Sequence, residues 1–232
     1  MSDSAGSDYD RLFYPYLFEV EQASLEDVLE QLRSSTVEKS LDLVKLRQRV
    51  LTEAGAQIIA AGRAMAQAFK QGGALLVFGN GGSSTDALDM VTQLNNPVRP
   101  GWKPLPALAL AHNTAMVTAV ANDVGFDNVF TRQIIAYGQP GDIAFGISSS
   151  GNSANILTAF DQARRQKLLT IGLAGYDGGK MARSPSVDFS LVVPSEQVPR
   201  IQEVQATIYH ALLEIIFESL NGPVLSGPAG NN

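Results

Sequence analysis

Two short stretches concentrate the groups that could hold an anion. Gly79-Asn80-Gly81-Gly82-Ser83-Ser84 brings three glycines directly before a run with helical spacing. Glycine lets backbone N–H groups turn inward, and a helix N-terminus favours negative charge. A tight strand-to-helix turn would need the same glycines for geometry alone, and this stretch by itself does not separate the two readings. No Gly-Lys-Ser/Thr follows, which excludes a phosphate loop of the nucleotide-hydrolase kind. Ser148-Ser149-Ser150-Gly151-Asn152-Ser153 places four hydroxyls and a glycine at a second helix start. Serines donate to phosphate oxygens without adding charge or bulk, and a helix cap needs only one of them. Two such loops together point to phosphate binding. Ala174-Gly175-Tyr176-Asp177-Gly178-Gly179-Lys180 is read as a turn.

Candidates for proton transfer are few. The chain has two histidines, His112 and His210, and no cysteine. Disulfides, thiol catalysis, thiolate metal sites and a three-histidine zinc site are therefore excluded. His210 lies eight residues after Gln202 in one helical run, about 80° around the helix, so the two can share a side. A lone histidine on an amphipathic helix is more often packed than catalytic. His112 follows the second apolar run, where it reaches a ligand edge or caps the loop.

These loops need a scaffold. Five short apolar runs, 74–78, 106–110, 143–147, 169–173 and 189–193, read as strands covered on both faces. Helical or loop segments such as 84–95, 114–121 and 153–166 lie between them. Alternating strands and helices imply right-handed crossovers and an α/β fold with a parallel sheet, which binds ligands at the carboxyl ends of its strands. A long helix is expected over 37–70, stopped by Lys70-Gln71-Gly72-Gly73, and another over 200–220. Before them stand an aromatic patch at 12–18 and a short amphipathic helix carrying Leu25, Val28, Leu29 and Leu32 after Ser24. Residues 1–8 and 221–232 have the small, polar composition of disordered ends. The expected organisation is a partly helical extension over 1–36, one domain over 37–220 and a tail.

The 232 residues are 45% hydrophobic and 17% charged, with a net charge of -6. That balance argues against a nucleic-acid surface. No apolar run spans a bilayer and no signal peptide is visible, so the expected compartment is the cytoplasm. Helices 37–70 and 200–220 offer more apolar face than one small sheet can cover, which predicts a homotetramer, or at least a dimer.

GNGGSS at 79–84, GISSSGNS at 146–153, TIGLAGYDGGKMA at 170–182 and VPS…RIQE at 193–203 resemble the sugar isomerase (SIS) domain. So does AVANDVGFDNVFTRQ at 119–133, and within that superfamily the chain is similar to the sedoheptulose 7-phosphate (phosphoheptose) isomerases. The resemblance implies a flavodoxin-like, three-layer fold with a five-stranded parallel sheet, and a homotetramer with active sites at subunit interfaces. It implies that Ser148, Ser149, Ser150 and Ser153 hold a sugar phosphate, with Asn80 and Ser83 facing the substrate. It also assigns Gln202 and His210 to the catalytic set. Four family positions differ. A histidine and a glutamate that serve a metal site, the glutamate also as base, correspond to Asp89 and Gln93. A further histidine corresponds to Gln205, and an aspartate after the second strand to Asn113.

A carboxamide takes no proton at relevant pH, so Gln93 is no base. Gln93 and Gln202 are weak zinc ligands, so no metal cofactor is expected. Two functions stay open: a phosphosugar isomerase with an altered acid–base set, with His210 as shuttle and Asp89 assisting, or a SIS module that acts on a protein partner through 9–36.

Overall fold

The computed structural model describes residues 25–222. The aromatic patch at 12–18 and the polar ends 1–8 and 223–232 lie outside the described residues.

Helix α1 (Leu25–Lys70) is one unbroken element of 46 residues. The sequence predicts two helices here, with a break near 33–36. That stretch contains neither glycine nor proline, and its hydroxyls bond back along the helix instead of capping a new one. Thr36 Oγ1 donates to the Leu32 carbonyl at 2.7 Å and Ser40 Oγ to the Thr36 carbonyl at 2.9 Å. The chain divides into two compact units at Val44/Lys45, within this helix. In the first unit the helix exposes Val28, Leu29, Leu32, Val37, Leu41 and Val44.

The second unit carries the sheet: β1 (Leu75–Gly79), β2 (Ala107–Ala109), β3 (Ile143–Ser148), β4 (Leu169–Gly175) and β5 (Phe189–Val193). All neighbours are parallel and the order is β2-β1-β3-β4-β5. This is the doubly wound order of the flavodoxin type, in which the order of strand addition reverses between β1 and β3. Helices α2 (Gly82–Asn95), α3 (Thr114–Asp123), α4 (Thr131–Tyr137), α5 (Ala154–Arg165) and α6 (Val198–Asn221) complete the layers. β2 is shorter than its apolar run because Leu110 already enters a helical turn ending at His112.

Side chains alternate across the sheet. Leu76, Phe78 and Ala144 face a core with Phe130, Ile134, Ile156 and Phe160. The Phe78 ring lies 5.5 Å from Phe130 and 5.3 Å from Phe160. Leu75, Val77, Ile143 and Phe145 are fully buried on the other face.

Asp142 ties the lower edge of the sheet. Its carboxylate accepts from the backbone N–H groups of Ala74 and Gln139, both at 2.8 Å. Removing it leaves two donors without their partner, so Asp142→Ala is expected to destabilise the fold by about 2 kcal/mol. Urea unfolding checks this, and an unchanged midpoint would contradict it.

Candidate functional site

The reversal of strand order between β1 and β3, which are parallel neighbours, puts the two loops that follow them side by side. After β1, Gly81 adopts φ 55 and α2 begins at Gly82. The backbone N–H groups of Ser83 and Ser84 close turns onto the Asn80 and Gly81 carbonyls, each at 3.0 Å. Ser83 is buried. The Asn80 carboxamide exchanges two hydrogen bonds with Asn155 in the first turn of α5, at 3.0 and 2.9 Å. Asn80 therefore clamps the glycine loop to the serine loop. Its buried partner Asn155 was not singled out in the sequence, although it stands two residues beyond Ser153.

In the serine loop, Ser148 Oγ accepts from the Gly151 N–H at 3.1 Å and lies 3.3 Å from Ser153 Oγ. Ser153 occupies the cap position of α5, yet its side chain makes no cap bond, so its hydroxyl remains with Ser148. Ser150 Oγ accepts from the Asn152 N–H at 3.2 Å. Ser149 is half-buried, and its carbonyl accepts from the Gly175 N–H at 2.9 Å. Gly151 has φ 64, and a Cβ there would stand 2.1 Å from the Gly178 carbonyl oxygen. The turn after β4 thus buttresses the serine loop: Met181 N–H donates to the Gly151 carbonyl and Lys180 N–H to Asn152 Oδ1.

Helix α6 joins these loops to a second cluster. Gln202 packs so closely over α2 that a Cβ on Gly82 would meet its Nε2 at 2.4 Å. One turn on, fully buried Gln205 points Nε2 at the carbonyls of Ser148 and Leu173, at 3.4 and 3.3 Å, and its Oε1 has no partner. Further along, Tyr209 OH donates to Asp89 Oδ2 at 2.8 Å. Gln93 Nε2 also donates to Asp89 Oδ2 at 2.8 Å and lies 2.8 Å from His210 Nε2. His210 Nε2 is 3.4 Å from Asp89 Oδ2. Only an NH₂ group at that position of Gln93 avoids facing its oxygen against the carboxylate, so it donates to both neighbours and His210 Nε2 accepts.

Of the residues named from the sequence, Asp89, Gln93 and His210 meet here, while Gln202 packs over Gly82 at the start of α2; sequence reasoning missed Tyr209 and Asp86. Asp86 shares a face of α2 with Gly82, Asp89 and Gln93, by helical spacing. Its Oδ2 is buried without a hydrogen-bond partner. Burial, then the charge of Asp89, push its carboxyl above the usual range, partly offset by His210. Burial, then the bond to Asp89, push the Tyr209 phenol well above its ordinary value. Beside His210 and Gln93 opens a groove of about 180 Å³, walled by Trp102 and Phe217. Those rings stack at 4.3 Å, with the Arg99 guanidinium 4.8 Å from the Trp102 centroid.

The remaining candidates are placed apart from this cluster. Asn113 caps α3, accepting from the Met116 N–H at 3.0 Å. His112 Nε2 is 3.1 Å from the Ser84 carbonyl in the first turn of α2. It is the loop-capping alternative for this histidine that the contact matches.

Residues 41–175 match the family model of the SIS domain. The phosphoheptose isomerase of Solidesulfovibrio magneticus is 44% identical over 170 residues, covering 73% of this chain and 82% of that protein. That of Halorhodospira halophila is 42% identical over 193 residues, covering 82% and 94%. Among solved structures, a phosphoheptose isomerase from Neisseria gonorrhoeae superposes with a TM-score of 0.74 at 33% identity, covering 80% of this chain and 98% of that one. One from Francisella tularensis gives 0.73 at 32%, covering 85% and 100%. With more than half its length matched to the domain and relatives of this similarity, the chain belongs to the SIS domain family, alongside the phosphoheptose isomerases.

Proposed function

We propose that this chain is a phosphosugar isomerase of the phosphoheptose type with an altered acid–base site. The serine loop holds the phosphate through Ser148, Ser149, Ser150 and Ser153, and the sugar reaches toward α2 and α6. The observation that carries the altered site is the Gln93 NH₂ group, which donates to both Asp89 and His210. Aldose–ketose isomerisation needs an acceptor for a carbon-bound proton, and an NH₂ donor cannot be one. Phosphate contacts stabilise ground and transition states alike, so binding survives better than turnover. Deuterium exchange at C1/C2 of sedoheptulose 7-phosphate tests the reading. Slow exchange that saturates with substrate supports it, and no exchange at any pH overturns it.

The residues present do not suit the zinc ion of the family. The nitrogen side of Gln93 faces Asp89 and His210, and Asp89 Oδ2 already accepts from Tyr209. Among the described residues, no group of three or more Asp, Glu or His side chains is placed to hold a metal ion. No step is therefore routed through a metal. Elemental analysis of the purified protein is expected to give well under one zinc per chain, and a value near one would contradict this.

For assembly, the reading is a homotetramer. It is supported by an apolar groove of about 240 Å³ between α6 and residues 47–59 of α1, lined by Leu51, Ile58, Ile59, Val204, Ile208 and Ile215. Leu51 is 71% exposed in the isolated chain. Light scattering at micromolar concentration should give a multiple of 24.7 kDa, and the mass of one chain would overturn it. The second reading, action on a protein partner through the N-terminal extension, is supported by the exposed apolar residues Val28, Leu29 and Leu32. No helix among the described residues is long and apolar enough to cross a membrane.

A further inference from the structure

We propose that Gln205 is a positioning residue for the phosphate: it holds the Ser148 carbonyl toward α6, so that the N–H groups of Ser149 and Ser150 turn the other way, toward the anion. This role rests on the isomerase reading above, in which the serine loop holds the phosphate, and it names what shapes that loop.

Gln205 is fully buried, and its Nε2 lies 3.4 Å from the Ser148 carbonyl oxygen and 3.3 Å from that of Leu173. Ser148 is the last residue of β3, and Leu173 stands in β4, opposite Ile147. These two contacts orient the amide, because its oxygen in the same place would face two carbonyl oxygens. Its Oε1 is left buried without a donor. Both bonds are longer than the usual range of about 2.7–3.2 Å, so they offset little of the cost of that orphan acceptor. A methionine of similar shape carries no such atom, and core packing alone gives no reason for an amide here. A buried orphan that persists points to a role outside stability.

The geometry of the loop supplies that role. β3 lies between β1 and β4 in the sheet. The peptide bonds of the loop are trans, so each C=O points opposite to the N–H of the next residue. Gln205 holds the Ser148 carbonyl on the β4 side. The Gly175 N–H, at the end of β4, holds the Ser149 carbonyl on the same side at 2.9 Å. The N–H groups of Ser149 and Ser150 therefore turn toward the β1 side, where the glycine loop stands. Two successive N–H groups turned one way make an anion-binding concavity. Of the two anchors, Gly175 acts through backbone, and Gln205 is the one that a substitution can remove.

The test combines calorimetric titration with sedoheptulose 7-phosphate, amide NMR spectra and urea unfolding. In the natural chain the Ser149 and Ser150 amide signals are expected to shift as the ligand saturates. Gln205→Met is expected to weaken binding by about five- to tenfold, as one misplaced hydrogen-bonding group does, and to shrink both shifts. Its urea midpoint should stay or rise, because the orphan oxygen is gone. A merely structural glutamine would lower the midpoint and leave the affinity of the folded chain unchanged. Gln205→His puts back a ring N–H donor and should recover most of the affinity. Gln205→Leu makes the same test with less bulk should Gln205→Met fail to fold. Natural affinity in a folded apolar variant, or Ser149 and Ser150 amides that stay unmoved in the saturated natural chain, overturns the role of Gln205 alone. Absence of binding by the natural chain at millimolar ligand overturns the phosphate site and this role with it.

Discussion

Asp89→His combined with Gln93→Glu is expected to raise the rate of C1/C2 exchange by about 10²–10⁴-fold, the range a positioned base contributes. The gain has a geometric origin. In the natural chain the Gln93 NH₂ sits 2.8 Å from both Asp89 Oδ2 and His210 Nε2, donating where the reaction needs an acceptor. A glutamate there turns a donor into two acceptor oxygens. It would also repel the Asp89 carboxylate, and for that reason the two positions must change together. The backbone of α2 is undisturbed, since both side chains are about half exposed or less and neither is part of the core. Sugar-phosphate affinity should change little, because the serine loop is untouched. An unchanged exchange rate in a folded double variant would mean that the cleft lacks more than a base.

Gly151→Ala is expected to remove the phosphate site while leaving the sheet folded. Alanine at φ 64 is strained, and its Cβ would stand 2.1 Å from the Gly178 carbonyl oxygen, which belongs to backbone and cannot swing aside. The loop must shift away from the turn after β4. That shift breaks the Met181 N–H bond to the Gly151 carbonyl and the Gly151 N–H bond to Ser148 Oγ. A cost of about 3 kcal/mol in stability follows from overpacking of this kind. Phosphate affinity should fall at least about tenfold, roughly the 1.4 kcal/mol of one displaced hydrogen-bonding group. Thermal unfolding and calorimetric titration with a sugar phosphate read the two effects separately. Wild-type affinity in this variant would place the anion elsewhere.

The fold was largely legible in the sequence because parallel strands buried on both faces leave unbroken apolar runs, such as 143–147 and 169–173. The continuity of α1 was not. Arg33-Ser34-Ser35-Thr36 reads as a polar interruption, and only the back-bonding of Thr36 and Ser40 shows that the helix runs through. In the candidate site, the loops were visible through composition: glycine and serine crowd where backbone must approach a ligand. Asp89 and Gln93 could be named only through the family resemblance, which also joined them to His210, one of the two histidines already visible; Tyr209 and His210 lie more than a hundred residues from them in sequence. Tyr209 was not singled out in the sequence; in the fold it is buried but turns its hydroxyl to Asp89. Asp86 was not singled out either, because a buried oxygen without a partner is a feature of the folded chain that no spacing pattern records. For Asn80, which the resemblance implies faces the substrate, the structure adds a carboxamide pair with Asn155 across the two loops.

The proposed cleft holds a sugar phosphate yet moves its proton slowly. Titrating the protein with sedoheptulose 7-phosphate while following C1/C2 deuterium exchange in the same NMR sample tests both halves at once. The expected result is saturable binding at millimolar concentration or below, with exchange far slower than in a phosphoheptose isomerase that carries a glutamate base. No binding at millimolar concentration would contradict the account in favour of a purely protein-binding role, and exchange as fast as in such an isomerase, abolished by His210→Ala, would replace it with a single-histidine mechanism.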